Sequence, residues 1–374
     1  VRHYLEQAGI EGKARNAAWD LKFADWKKAN PDKARILEAG FGKVRPDEES
    51  ILESIPVFDE GTSLATRAAA GKILNALAEK FPLMVSGSAD LHGSTKNYIE
   101  DNNGDFTKSN RKGRNIRFGI REHAMGAMVN GMGYDGPFLA SGATFFTFSD
   151  YMRASVRLSA LAGLPVTWYW THDSIGVGED GPTHQPVEHV AACRAIPNLD
   201  VFRPGDPEET AGAWAGAVHR VDGPTALVLS RQSVPPQDSI PVEDRRKGTL
   251  KGGYIAKKEA GDLELILLAS GSELSVALEA ADRLGDGVRM VSMPCLERFD
   301  RQDADYRDSI LPASCRKRVA VEAAVSQSWH KYVGLDGKIV SIERFGVSAP
   351  GGQAMAELGI TAENVVEVVK SLNR

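Results

Sequence analysis

Between residues 62 and 229, short apolar runs alternate with amphipathic stretches of helical period. This alternation predicts a parallel sheet covered by helices on both faces. The predicted strands are 83–85, 116–118, 138–140, 166–170, 199–202 and 226–229, and the predicted helices are 62–80, 121–133, 149–162, 186–195 and 206–219.

A second unit of the same kind follows, with predicted strands at 264–269, 288–292, 318–322 and 338–342 and helices at 272–284 and 361–372. Between the units, residues 233–252 contain three prolines and the basic run from Arg245 to Lys247, which is typical of a linker. We therefore predict an α/β chain of two doubly wound, three-layer α/β/α domains with mainly parallel sheets. They occupy residues 59–235 and 253–374, with a linker at 236–252.

Residues 1–58 are polar with a helical pattern and are expected to form a connector arm, with one helix over 1–37. Trp19, Phe23 and Trp26 recur at helical spacing and form one apolar stripe. We expect this stripe to pack onto the next domain. The chain begins at Val1 in mid-pattern without an opening cap, which suggests a piece of a longer protein.

Composition excludes several classes of function. The 374 residues carry a net charge of -5, so no overall basic field favours nucleic acid or an anionic membrane. The longest apolar stretches, such as 161–170, are shorter than the ~20 residues of a membrane span. No signal peptide is visible. Three widely spaced cysteines favour reduced thiols and a cytoplasmic location.

Polar and aromatic peptides follow five of the predicted strands of the first domain. Because ligands bind at the carboxyl ends of strands in open α/β sheets, these peptides are expected to meet at one rim. Their convergence predicts a binding or catalytic site. The peptides are SGSAD at 86–90, GIREHA at 119–124, GATFFTF at 142–148, THDSIGVGEDGPTHQP at 171–186, and Ser230-Arg231.

Glu122 opens a predicted helix directly after a strand. A carboxylate there either stabilises the helix start through the dipole or shares a proton with a ligand nitrogen. Phe145, Phe148 and Tyr151 recur every three residues, and either pack in the core or stack on an aromatic heterocycle. The residues alone leave both alternatives open.

His172 and His184 flank a loop that is too polar and glycine-rich for a core, and such loops commonly carry binding groups. A zinc site is not favoured, because His184 and His189 lack the i, i+4 pairing and no cysteine lies nearby. Arg67 and Arg231 are candidate phosphate ligands, since a planar guanidinium matches oxyanion geometry. Either arginine alone is more often part of a surface salt bridge.

The sequence closely resembles the transketolase family over its whole length. The resemblance is carried by the sixteen-residue peptide at 171–186, by GIREHAMG at 119–126, RLSALAG at 157–163, LSRQ at 229–232, ASGSE at 269–273 and VSMP at 291–294. It implies transfer of a two-carbon ketol unit from a ketose phosphate to an aldose phosphate, with thiamine diphosphate as cofactor.

The resemblance also implies roles for individual residues. Glu122 would bind N1′ of the thiamine aminopyrimidine and favour its imino tautomer, which takes the proton from the thiazolium C2. Phe145, Phe148 and Tyr151 would surround the pyrimidine ring, and Asp90 would help position the cofactor near a dimer interface. The residues expected to hold the substrate phosphate are Arg67, Ser94, His172 and Arg231. Asp180 and His184 are expected to contact substrate hydroxyls, with His184 also assisting proton transfer.

One part of the family pattern is missing. The family's diphosphate-binding domain carries Gly-Asp-Gly followed by Asn, which hold the diphosphate and a divalent metal, Mg²⁺ or Ca²⁺. The Gly285-Asp-Gly287 of this chain has no such Asn and reads as a turn. We therefore predict no metal ligands here, a missing domain upstream of Val1 or on a separate subunit, and a homodimer that is inactive without that domain.

Two alternatives stay open at this stage. One is a related thiamine-dependent enzyme, such as a deoxyxylulose-phosphate synthase or the β subunit of a 2-oxoacid dehydrogenase, which typically differ around 121–123 and 183–185. The other is a non-catalytic protein that only dimerises through this fold. The presence of Glu122, His172 and His184 argues against it, because a purely structural role needs none of them.

Overall fold

The computed structural model describes residues 1–373 and confirms two α/β units, each built on its own sheet. The N-terminal arm is helical, with α1 (Arg2–Ala29), α2 (Pro31–Phe41) and α3 (Glu48–Glu53). The helix predicted over 1–37 is interrupted after α1, where Asn30 ends one helix and caps the next. Pro31 takes the first position of α2, where its missing N–H needs no partner.

The expectation that the aromatic stripe packs onto the next domain is wrong for the described residues. No residue of α1 is buried, and the side chain of Trp19 is 57% exposed. The rings pack on one another instead, with centroids 4.8 Å apart for Trp19 and Phe23 and 5.8 Å apart for Phe23 and Trp26. Helical spacing explains why the three rings contact one another, but it does not ensure that another part of the protein packs against them.

The first unit contains a sheet of six parallel strands in the order β2-β1-β3-β4-β6-β5. Its strands are β1 (Met84–Ser88), β2 (Asn115–Arg117), β3 (Leu139–Phe145), β4 (Thr167–Thr171), β5 (Asp200–Phe202) and β6 (Thr225–Leu229). Its helices are α4 (Thr66–Lys80), α5 (His92–Thr95), α6 (Glu122–Asp135), α7 (Arg153–Leu161), α8 (His189–Arg194) and α9 (Pro207–His219), with 3-10 turns at Phe146–Met152 and Ile175–Val177.

Strand β4 shows why this sheet is covered on both faces. Trp168 and Trp170 pack into one hydrophobic core, and Tyr169 between them packs into the core on the opposite face. All three side chains are inaccessible to solvent. A strand buried on both sides carries a continuous apolar run rather than an alternating one, as the sequence does here.

The second unit has a five-stranded sheet in the order β11-β10-β8-β9-β7, parallel except for the edge strand β7. Its strands are β7 (Tyr254–Lys257), β8 (Leu265–Ala269), β9 (Val288–Ser292), β10 (Arg318–Val321) and β11 (Lys338–Val340). Helix α10 (Val242–Lys251) precedes this sheet. The helices of the second unit are α11 (Glu273–Leu284), α12 (Leu296–Asp300), α13 (Ala304–Ile310), α14 (His330–Val333), α15 (Gly351–Glu357) and α16 (Ala362–Lys370), with 3-10 turns at Ser326–Ser328 and Ser371–Asn373.

The segment predicted as a linker contains helix α10, which packs against α9. Arg245 and Arg246 are buried in it, because they pair with Asp206 at 2.5 Å and Glu208 at 2.5 Å. Among residues 1–373, no helix combines the length and the apolar character needed to cross a bilayer.

Candidate active site

The register between β3 and β4 brings the first two site residues together. Phe145 at the end of β3 pairs with Thr171 at the end of β4, so that His172 follows directly beside Phe145. The two ring centroids are 3.7 Å apart. His172 has φ of +63°, a left-handed conformation that is uncommon for a side chain other than glycine and is often found at functional sites.

The aromatic residues after β3 lie on one face because of a 3-10 turn. In such a turn, side chains three residues apart are eclipsed, which aligns Phe145, Phe148 and Tyr151. Ring centroids are 5.7 Å apart for Phe145 and Phe148, and 6.0 Å apart for Phe148 and Tyr151. His184 approaches the same rings, with centroids 5.5 Å from Phe148 and 6.1 Å from Phe145. We call these four residues together with His172 the ring cluster.

Two guanidinium groups lie beside the ring cluster. Arg67 is half-buried at the start of α4, where its Nη1 donates to the Ser94 carbonyl at 2.7 Å. Burial, and then the nearby charge of Arg231, lower the pKa of Arg67. Within residues 1–373, neither arginine forms an ion pair. Two neighbouring cations without a carboxylate partner are suited to a dianion such as a phosphate.

His172 is held neutral in this environment. Burial, followed by the charges of Arg67, Arg231 and His184, lowers the pKa of His172 to about 3. Its Nδ1 lies 2.8 Å from the Thr171 hydroxyl. The imidazole can therefore contribute a hydrogen bond near neutral pH, but not a positive charge.

The other predicted site residues lie around this centre. Glu122 begins α6 and is 92% buried, and no other residue in the described range forms a hydrogen bond or ion pair with its carboxylate. Asp90 is exposed after β1 with φ of +66°, and its charge acts on Arg117. Asp180 is exposed in the loop after β4, where its charge acts on Arg67. No ring contact or hydrogen bond joins Glu122 or Asp90 to the ring cluster within residues 1–373.

Sequence reasoning missed the residues that orient the site side chains. Thr183 Oγ1 lies 2.9 Å from Nδ1 of His184, as Thr171 does for His172. The signal was present, because each histidine directly follows a threonine. Tyr169 was also missed, and its hydroxyl donates to the carbonyl of Arg67 at 2.9 Å.

One group of side chains in the described range has the composition of a metal site. Ligand atoms of Asp150, Glu188 and His189 lie within 4.8 Å of one another. The carboxylates flank opposite nitrogens of the ring, with Asp150 Oδ2 3.2 Å from Nε2 and Glu188 Oε2 3.7 Å from Nδ1. Asp150 and Glu188 are exposed, and exposed carboxylates commonly lie near a histidine without holding an ion, so we assign no metal to this group.

Comparison with known proteins matches each of the two units to a domain of known type. The family model of the transketolase pyrimidine-binding domain matches residues 62–237, and that of the transketolase-like C-terminal domain matches residues 252–361. Among curated proteins, a transketolase of Physarum polycephalum is 56% identical over 99% of this chain, and one of Bacillus subtilis is 46% identical over 99%. The matched part is 56% of either relative, so the chain spans about half the length of the curated relatives it matches.

Solved structures agree with these matches. A transketolase from Leishmania mexicana superposes with a TM-score of 0.88 at 41% identity, covering 97% of this chain and 53% of that one. A structure described as a split gene transketolase, inactive beta4 tetramer, gives a TM-score of 0.65 at 25% identity and covers 83% of this chain and 98% of that one. The fold is thus that of a pyrimidine-binding α/β domain followed by a second α/β domain. The chain belongs to the transketolase family.

Proposed function

We propose that this chain supplies the pyrimidine-binding half of a transketolase active site. The reaction is the transfer of a two-carbon ketol unit between sugar phosphates. The observation that carries the proposal is the ring cluster at the end of β3 and β4, bordered by the unpaired guanidiniums of Arg67 and Arg231. This arrangement offers an aromatic surface for a heterocycle and two cations for a phosphate in one place.

The residues present fit the pyrimidine ring of thiamine diphosphate. Glu122 is buried and without a partner in the described range, and a buried carboxylate is stabilised by a hydrogen bond, which a ligand nitrogen can supply. Phe145, Phe148 and Tyr151 provide the surface against which a flat ring stacks. When bound, the cofactor supplies a carbon nucleophile that the protein side chains lack. Asp90 is assigned to cofactor positioning on the family resemblance alone.

The substrate phosphate would be held by Arg67 and Arg231, with hydrogen bonds from His172 and Ser94. Because His172 is neutral, it adds direction rather than charge to this group. Asp180 and His184 come from the same loop and would contact substrate hydroxyls. Nε2 of His184 remains available for proton transfer because its Nδ1 is engaged by Thr183.

The diphosphate and its Mg²⁺ or Ca²⁺ would be held by a diphosphate-binding part outside this chain, so that the chain alone is inactive. The split-gene neighbour, described as inactive, supports this requirement. A homodimer is supported by exposed apolar side chains around the packed helices α6 and α7, namely Ile120, Met128, Leu158 and Leu161. A cytoplasmic location is supported by three buried cysteines that form no disulfide.

Replacing Glu122 with glutamine in the protein assembled with its diphosphate-binding part tests this proposal. The change keeps the size of the side chain but removes its ability to share a proton, so kcat should fall by roughly 10²- to 10⁴-fold. Glu357→Gln, on the exposed surface of α15, is the matched control and should leave kcat unchanged. Full activity of Glu122→Gln would contradict the assignment.

A further inference from the structure

The loop after β4 packs into the core of the second unit. Ile175 and Val187, at either side of Asp180 and His184, belong to the hydrophobic core of the second sheet, together with Leu267 and Val321. Ile175 is inaccessible to solvent. The loop that carries two proposed substrate contacts is therefore built into the C-terminal unit.

A buried ion network fixes the start of this loop. Asp173, next to His172, accepts hydrogen bonds from Arg203 Nε at 3.1 Å and Nη2 at 2.8 Å. Arg203 also donates to the Ser270 carbonyl at 3.0 Å and pairs with Glu273 at the start of α11. Burial lowers the pKa of Arg203, but the surrounding carboxylates outweigh it and the net shift is upward. Arg203 thus stays charged and connects the loop to the second unit.

Segment 346–351, which leads from β11 to the first residue of α15, holds the rest of the loop. The hydroxyl of Ser348 donates to the Glu179 carbonyl at 2.6 Å. Nε2 of Gln185 donates to the carbonyls of Gly178 at 2.8 Å and Val347 at 2.9 Å. These bonds bracket Asp180 and His184 on both sides.

Two glycines make the close approach of this segment possible. A Cβ added to Gly351 would lie 2.6 Å from the carbonyl oxygen of Gly176, a backbone atom that cannot move without the loop. A Cβ on Gly346 would lie 1.9 Å from Oε1 of Gln185. By contrast, a Cβ on the neighbouring Gly352 would meet nothing within 4 Å.

From these contacts we infer that the C-terminal unit positions the substrate-binding loop. Arg203, Ser348 and Gly351 are positioning residues that act on the substrate through Asp180 and His184. This inference rests on the proposed function for the identity of the ligand, but not for the contacts themselves. It assigns to the C-terminal unit a part in sugar-phosphate binding.

Gly351→Ala and Gly352→Ala form a matched pair that tests this inference. Both add one methyl group in the first turn of α15, so their effects on the unfolded chain are the same. The first readout is amide hydrogen exchange in the 374-residue chain. Gly351→Ala should speed exchange at Gly181 and His184, whose amides are bonded within the loop, while Gly352→Ala should not.

The second readout is kinetic and uses the assembled protein. Gly351→Ala should raise KM for the sugar phosphate by roughly tenfold to a hundredfold, since it would weaken the hydrogen bonds of Asp180 and His184 to the substrate, each worth about a factor of ten. The apparent affinity for thiamine diphosphate should not change, because Glu122, Phe145, Phe148 and Tyr151, which are proposed to contact its pyrimidine ring, lie outside this loop. A general loss of folding would instead weaken both.

The outcomes separate this inference from the proposed function. Loop exchange that is equal in the two variants, or faster exchange without a rise in KM, would overturn the inference. Should Gly351→Ala fail to fold, Ser348→Ala takes its place, because it removes one contact with the loop without adding bulk. It should also speed exchange in the loop and raise KM, and the absence of either effect would overturn the inference. If the assembled wild-type protein transfers no ketol unit, the proposed function fails, and the exchange comparison still decides whether the second unit holds the loop.

Discussion

Replacing His172 with glutamine should remove part of the acid sensitivity of this protein. The folded protein keeps the pKa of His172 at about 3, against an ordinary value of 6.5, because the ring is buried beside two arginines. Between these values, the unfolded chain binds a proton that the folded chain does not. The stability of the wild-type protein therefore falls as the pH drops from 6.5 towards 3.

The size of the effect follows from the same two values. A solution at about pH 5 is roughly 1.5 pH units below the pKa of His172 in the unfolded chain, and each pH unit changes the unfolding free energy by about 1.4 kcal/mol. Between about pH 7 and about pH 5, His172 should therefore cost the wild-type protein about 2 kcal/mol of unfolding free energy. Glutamine has no such titration, so the variant should lose about 2 kcal/mol less over the same range.

Urea unfolding at the two pH values, followed by tryptophan fluorescence, measures this difference. Trp168 and Trp170 lie in β4, just before His172, and their burial makes them suitable reporters. His3→Gln on the exposed helix α1 is the control and should behave as the wild-type protein does. An equal loss of stability in His172→Gln and in the wild-type protein would refute the reasoning.

Two further substitutions test the charges around the site. Arg231→Gln should raise KM for a sugar phosphate by roughly ten- to a hundredfold, but leave KM for the unphosphorylated sugar nearly unchanged, and an equal effect on both sugars would count against phosphate binding. Arg203→Met should lower the unfolding free energy by about 3–5 kcal/mol, because it leaves the buried carboxylates of Asp173 and Glu273 unpaired. Urea unfolding measures this loss, and Arg283→Met on the surface is the control, for which a loss of less than about 1 kcal/mol of unfolding free energy is expected. Similar losses in the two variants would contradict a stabilising role of the buried network.

Much of the fold could be predicted from the sequence, because buried parallel strands leave continuous apolar runs. The prediction was less accurate where charge was buried. Segment 236–252 carries prolines and arginines and was expected to be a linker, yet it contains α10. Arg245 and Arg246 are buried there because each pairs with a carboxylate on α9 or its cap. Those carboxylates are 38 and 39 residues away in the sequence. A sequence window cannot reveal such partners.

The length of β3 shows a second limit. A strand was predicted only over 138–140, but β3 runs from Leu139 to Phe145 and passes through Gly142. The glycine serves the packing of α6, since a Cβ there would lie 3.2 Å from Val129. Residues next to strand ends could be recognised as site candidates, whereas Arg203 could not, because its role depends on contacts with both units.

The most direct test of the account is a ketol-transfer assay on the 374-residue chain, alone and after mixing with a separately produced diphosphate-binding part, thiamine diphosphate and Mg²⁺. The account predicts no transfer by the chain alone, transfer by the mixture, and little transfer when the chain carries Glu122→Gln. Transfer by the chain alone, or a mixture that stays inactive although the two parts associate, would contradict it.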